Sequence, residues 1–170
     1  MSDYRRTILS CKSITSPALT ALNTDCENVA LAAPSVTGAA SVNFDKANGA
    51  ANTIFALVYG TISGINFLTL PPYGLSAKIY WLIDIPTITN LAYSMVRLGS
   101  DASNYFEWRF ADSSHVAGKF VIASAYLGEC YVTGTPTLES PTYLQFGAAF
   151  DGETNALADM LMDGIWIDVS

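Results

Sequence analysis

The chain has 170 residues, 51% of them hydrophobic and only 14% charged, which is enough to bury one sizeable core and too apolar for a disordered segment. Eight basic and fifteen acidic residues give a net charge of −7, which argues against a nucleic-acid partner because phosphate binding needs clustered Lys and Arg. Arg5, Arg6 and Lys12 fall in the first dozen positions and no base follows Lys119, so the sequence reads as a basic arm on an acidic body.

Residues 1–28 carry no strong period and are expected to form an extended N-terminal arm. Ser16 and Pro17 can open a short helix reaching Leu22, with Ser16 as its N-cap and Pro17 at the first helical position. Arg5-Arg6 is followed by too short an apolar run before Lys12 for a secretory signal, so the expectation is synthesis in the cytoplasm without a signal peptide. From residue 29 a β pattern begins, with short runs at Val29–Leu31 and Ala40–Phe44 and a turn at Asp45–Gly49 that contains Asn48-Gly49. The uncharged stretch Thr53–Leu70 has the length of a membrane span. Gly60, Gly64, Asn66 and Pro71-Pro72 break it, and its Ile, Thr, Val, Tyr and Phe favour two buried strands, Ile54–Tyr59 and Ile65–Leu70.

Lys78–Phe110 reads as a three-stranded meander around which the remaining sheet is built. Ile79–Ile85 is an apolar strand stopped by Pro86, and Leu91–Leu98 follows it. Gly99–Ser103 supplies the small polar residues of a reversal. Tyr105–Phe110 then alternates, with Phe106, Trp108 and Phe110 on one face and Tyr105, Glu107 and Arg109 on the other. Ala111–Gly118 is a loop, and Lys119–Ala125 and Glu129–Val132 are short strands. Tyr143–Phe150 is a strand apolar on both faces. Ile165–Val169 is a last strand, with Trp166 and Asp168 outward, and Leu157–Met162 either extends it or makes one helical turn. Nine or ten strands suit two packed antiparallel sheets, an all-β sandwich.

The residues offer little for catalysis. His115 lies in a Ser-Ser-His-Val-Ala-Gly loop and reads as a solvated side chain, because a triad with Asp112 and Ser113 or Ser114 would need distant segments. Glu107 and Glu129 are the strand glutamates, and Arg109 two residues on suggests a surface ion pair for Glu107. Cys11, Cys26 and Cys130 lack zinc spacing; a Cys11–Cys26 bridge is one reading, three reduced buried thiols the other. A sugar platform would need exposed aromatics, and Tyr80, Tyr93, Tyr105 and Trp166 lie opposite the core-facing positions of their strands. A second core layer or a subunit contact suits each of them better, since Trp and Tyr are common at interfaces. Trp81, Trp108 and Phe106 are assigned to the core.

SVNFDK (Ser41–Lys46), SAKIYWLIDIP (Ser76–Pro86), RLGSDASNYFEWRF (Arg97–Phe110) and the late run Gly147–Ile167 together resemble a jelly-roll sandwich domain. Such a domain is similar to carbohydrate-binding modules and concanavalin A-like domains, and it recurs in virion proteins of tailed bacteriophages. The resemblance implies a two-sheet antiparallel jelly-roll β-sandwich over residues 29–170, with the arm of residues 1–28 outside it. One such domain plus an arm resembles a capsid decoration protein. That implies a non-enzymatic structural protein that stabilises the capsid exterior and sits on the virion surface. It would contact the major capsid protein and copies of itself, as a trimer, through Arg5, Arg6 and Lys12. The alternative implied is a carbohydrate-binding module for host-surface or environmental glycans. The resemblance also implies a structural calcium, for which Asp45, Asp163 and Asp168 are the candidates by position, against ordinary turn aspartates.

Overall fold

The computed structural model describes residues 4–15, 17–49, 53–63, 77–137 and 139–169. Within them the chain is strand throughout, apart from turns and a 3-10 turn at Asp112–Ser114. In chain order the strands are β1 (Tyr4–Leu9), β2 (Leu19–Ala21), β3 (Cys26–Ala32), β4 (Ser41–Lys46), β5 (Ile54–Thr61) and β6 (Lys78–Asp84), followed by β7 (Leu91–Asp101), β8 (Asn104–Ala111), β9 (Phe120–Tyr126), β10 (Tyr131–Thr133), β11 (Tyr143–Phe150) and β12 (Leu157–Val169). They form two six-stranded antiparallel sheets. One runs β3-β4-β12-β6-β9 with β1 added on β12; the other runs β10-β8-β7-β11-β5-β2. We call them the β12 sheet and the β7 sheet.

β12 organises the first of these. Its early half pairs with β4, its later half with β1, and β6 lies along its other edge. Leu157–Met162 therefore extends the last strand and is not a helical turn. The expected arm is corrected here too: Tyr4–Leu9 is a sheet strand, with Tyr4 opposite Val169 and Arg6 opposite Ile167. Pro17–Leu22 is no helix, because Leu19–Ala21 pairs with Gly60–Val58 at the edge of the β7 sheet, and Ser16 lies outside the described residues. A backbone donor in a short edge segment finds a better partner in a neighbouring strand than in an isolated turn too short to propagate. The predicted strand Ile65–Leu70 also lies outside the described residues. No helix among the described residues is long and apolar enough to cross a membrane.

The predicted meander is divided between the sheets. β7 and β8 are a hairpin through Ala102-Ser103, whereas β6 pairs with β12 and β9 in the opposite layer. The Pro86–Asn90 connection carries the chain across the sandwich, which relieves the need for β6 and β7 to share hydrogen bonds. Between the sheets lies one apolar core, where Trp81 and Trp108 are the largest fully buried side chains. Phe44 meets Phe146 edge-on at 5.9 Å, and Trp81 meets Phe110 at 6.3 Å.

Both indole N–H groups cross between the layers. Trp81 Nε1 donates to Ser94 Oγ of β7 at 3.0 Å, and Trp108 Nε1 donates to the Leu127 carbonyl, just beyond β9, at 3.2 Å. His115 closes the first of these chains. Its Nε2 lies 3.0 Å from Ser94 Oγ and its ring packs edge-on against Phe110, so the residue is buried and not the solvated loop histidine expected. Because Ser94 Oγ accepts from Trp81, its own hydrogen is free to go to an unprotonated Nε2, a pattern satisfied by neutral imidazole. Burial lowers the histidine's pKa, opposed by its bond to the Phe110 backbone and by Asp112.

Two predictions follow from this cluster. Ser94→Ala strands the buried Trp81 donor and should cost about 1–3 kcal/mol in urea unfolding; a loss below about 0.5 kcal/mol would show that the indole bond is dispensable. For His115 the folded pKa is depressed, so its contribution is complete above the unfolded value of about 6.5 and is lost as pH falls through the folded value. The stability advantage of wild type over His115→Gln should therefore shrink between pH 7.5 and pH 5, and a constant advantage would contradict a buried neutral imidazole.

Candidate functional site

With Phe106, Trp108 and Phe110 of β8 turned to the core, period-two geometry puts Tyr105, Glu107 and Arg109 on the outer face of the β7 sheet. Register extends that face across the strands. Tyr131, Glu107, Arg97, Gln145 and Tyr59 form one transverse row, and Tyr105, Gly99, Tyr143 and Thr61 form the next.

Glu107 is the pivot. It is only 2% exposed, Arg97 Nε donates to its Oε2 at 2.5 Å, and Arg109 Nε donates to its Oε1. The expected surface ion pair is thus a buried carboxylate held by two arginines. The missing partner, Arg97, sits ten residues upstream and is brought opposite Glu107 by the β7–β8 hairpin. Arg97 Nη1 also donates to Gln145 Oε1 at 3.0 Å, and Gln145 Nε2 donates to the Tyr143 hydroxyl. The guanidiniums are sandwiched by rings. Arg97 lies 4.7 Å from the Tyr105 centroid, while Arg109 lies 4.3 Å from Tyr93 and 3.9 Å from Tyr131.

Three tyrosines line one end of the row. Tyr143 lies 5.3 Å from Tyr59 and 6.5 Å from Tyr105, near-parallel to the latter. Beside them opens a cleft of about 410 Å³ bordered by Leu22, Tyr59, Asp101 and Tyr143. Burial raises the Tyr143 hydroxyl to about 12, so it stays protonated as a donor, with Arg97 pulling the other way. At the other end Phe55 and Tyr93 cover Leu57, Met95 and Ala149, giving the face an apolar half. Gly147 between Met95 and Leu57 has φ +152°, and a Cβ there would meet the Ala56 carbonyl at 2.0 Å.

The four predicted aromatics divide between the two outer surfaces of the sandwich. Tyr93 and Tyr105 belong to the face just described. Tyr80 and Trp166 stack on each other at 5.6 Å on the outside of the β12 sheet. Sequence reasoning missed Arg97, Gln145, Tyr59 and Tyr143. The signal for Arg97 was present in the tight turn at Ala102-Ser103, which sets it opposite Glu107. Lys12 borders a separate pocket of about 230 Å³ with Thr7, Asp163 and Trp166. Arg5 and Arg6 fall on β1, in register with Asp168 and Ile167.

The calcium candidates do not fit one ion. Asp45 accepts from Asn28, Asn43 and the Asp159 amide, and Asp163 Oδ2 accepts from the amides of Val36 and Thr37. One oxygen each of Asp163 and Asp168 is buried without a hydrogen-bond partner among the described residues. Yet β12 spaces Asp159, beside Asp45, from Asp163 by about 13 Å, and Asp163 from Asp168 by about 16 Å, at roughly 3.3 Å per residue. Among the described residues no three His, Cys, Asp or Glu side chains could hold a metal. At the corner between β4 and the 153–155 turn Lys46 Nζ, buried, donates to the carbonyls of Ala47 at 3.0 Å and Asn155 at 2.6 Å. Cys11, Cys26 and Cys130 are all free thiols, and burial, helped by Asp45 and Glu27, raises Cys26 to about 12.

This architecture has solved counterparts. The family 11 carbohydrate-binding module from Clostridium thermocellum, in complex with a β-1,3-1,4-mixed-linked tetrasaccharide, superposes with a TM-score of 0.58 over 96% of this chain and 94% of that one, at 6% identity. A carbohydrate-binding module of the β-sandwich superfamily, from work on promiscuous specificity, gives 0.54 over 94% of this chain and 61% of that one, at 10% identity. An exo-β-agarase structure gives 0.53 over 95% of this chain and 24% of that one, at 11% identity. At these identities the likeness is one of fold, and the fold is the jelly-roll sandwich of carbohydrate-binding modules. No family model matches the chain, and no curated protein matches it in sequence.

Replacing Glu107 by Gln removes the charge that both guanidiniums share. Arg97 is 13% and Arg109 34% exposed, so the loss should sit near the low end for a broken buried ion pair, about 3 kcal/mol in urea unfolding. A change within about 0.5 kcal/mol would mean that the three side chains are solvated independently.

Proposed function

We propose that this protein is a non-catalytic carbohydrate-binding module that holds a glycan chain across the outer face of the β7 sheet. The observation that carries the reading is the pair of half-buried rings, Tyr59 and Tyr105, set on one face with Arg97 and braced from beneath by the buried Tyr143 and Gln145. Flat rings suit the C–H faces of sugars, and fixed guanidinium groups suit their hydroxyls. Because the polar side chains are already bonded to one another, they are held in place before a ligand arrives, which lowers the entropy lost on binding. The similarity in fold to solved carbohydrate-binding modules supports the same reading.

A non-catalytic role is supported by the state of the acids and bases. Both oxygens of Glu107 are engaged, and His115 is bonded within the core, so neither stands ready to move a proton at the surface. Capsid decoration and a trimer rest on the sequence resemblance alone. The arm intended for that contact is β1, so deleting residues 1–14 would strip a strand from β12 as well as any docking element.

Tyr59→Ala and Tyr105→Ala should each weaken glycan affinity about tenfold or more, roughly 1.4 kcal/mol, in titration calorimetry against a panel of polysaccharides. Trp166→Ala, on the opposite sheet, should leave affinity unchanged. Loss of binding in Trp166→Ala with full binding in Tyr105→Ala would move the site to the other face.

A further inference from the structure

Resting on the glycan-binding reading, we infer that the outer face of the β7 sheet selects anionic glycans, those bearing carboxylate or sulfate groups, with Arg109 as the residue that receives the acid. The argument begins with charge. A protein of net charge −7 has four arginines, and two of them, Arg97 and Arg109, lie side by side on this one face. They share a single carboxylate, Glu107, so on this face two guanidiniums are ion-paired with one acid. Among the described residues Glu107 is the one acid that forms an ion pair with either guanidinium.

The other described acids of this surface form no ion pair with either arginine. Asp101 and Asp151 stand at opposite ends of β7, each about 13 Å or more along the strands from the nearer arginine, beyond the Debye length of about 8–10 Å. Asp101 is also committed to the Ser103 amide and the Asn104 side chain, and Asp151 to the Thr53 hydroxyl. Glu129 lies level with Arg109 by the register of β10 on β8, but it is exposed and forms no ion pair with it, so both stay solvated.

The two arginines are not equivalent. Arg97 is nearly covered and spends Nε on Glu107 and Nη1 on Gln145. Arg109 bonds Glu107 through Nε, and its side chain is one-third exposed. The Nε bond leaves the Nη pair as the edge on which a carboxylate or sulfate can accept two parallel bonds. Tyr93 and Tyr131 hold the guanidinium plane between them, so that edge is oriented in advance. A neutral sugar would leave this charge with water alone, whereas an acidic sugar would pair it beside the tyrosines of the row.

Titration calorimetry on the full chain can decide, at 20 mM and 200 mM salt. The probes are an oligogalacturonate, the same oligosaccharide with its carboxyls reduced to alcohols, a sulfated galactan oligosaccharide and a neutral mixed-linked β-glucan. At least one acidic probe should bind about tenfold tighter than the carboxyl-reduced sugar and the β-glucan, and should weaken as salt rises. The oligogalacturonate and the sulfated probe separate the two sources of acid. Arg109→Gln should abolish the preference for acid, and Arg109→Lys, which keeps the charge without the fork, should retain part of it. Thermal unfolding of both variants establishes that they remain folded. Equal affinity for charged and uncharged probes, or an Arg109→Gln protein that still prefers acid, overturns this inference while leaving the glycan-binding reading intact. Failure of every probe to bind overturns both.

Discussion

Two indole N–H bonds, running in opposite directions across the core, fix how the sandwich closes. Trp81 reaches from the β12 sheet to Ser94 in β7, and Trp108 reaches from β8 to the Leu127 carbonyl beyond β9. Each combines a large apolar surface with a directional bond, so the layers are held at one separation and in one relative register. The outer face depends on the same constraint. Once Trp108 and its neighbours at every second position are committed inward, the residues between them have one surface left to occupy. The core that stabilises the fold and the row of groups offered to a ligand are therefore alternate residues of the same strands.

Burying a carboxylate between two arginines is an expensive way to stabilise a sheet, since desolvation offsets most of the attraction. What it supplies is position. Glu107 takes one Nε from each arginine, Gln145 takes a further N–H from Arg97, and aromatic rings limit the tilt of both guanidiniums. A long, flexible side chain is fixed in one orientation by this means, and its ordering is met during folding; the proposed glycan binding would then find it already in place. The apolar half of the face, from Phe55 to Met95, lacks such groups and reads as a floor.

Much of the fold was legible because its signals are local. The alternation of Tyr105–Phe110 specified which side chains face inward, and the apolar run Tyr143–Phe150 announced a strand covered on both faces, its outer side in part by Phe55 and Tyr93. What failed to read was tertiary. A proline-bounded link between Ile85 and Leu91 looks the same whether the next strand pairs beside the first or crosses to the other layer. Ala18–Leu22 has helical composition, yet edge pairing with β5 decides its shape. His115 sits among loop residues, and nothing near it in sequence reveals that its ring reaches Ser94, twenty-one residues earlier. The site was half legible for the same reason. Tyr93 and Tyr105 followed from strand alternation, whereas Arg97, Gln145, Tyr59 and Tyr143 join them only through the pairing of β8, β7, β11 and β5.

The antiparallel pairing of β1 with β12 brings Tyr4 opposite Val169, so both ends of the sandwich emerge together from the layer that faces away from the tyrosine row. Anything joined at either end would leave from the rear of the module. Such a geometry would let the domain be spliced into a loop of another protein, or tethered by two linkers at once, with the outer face of the β7 sheet left uncovered.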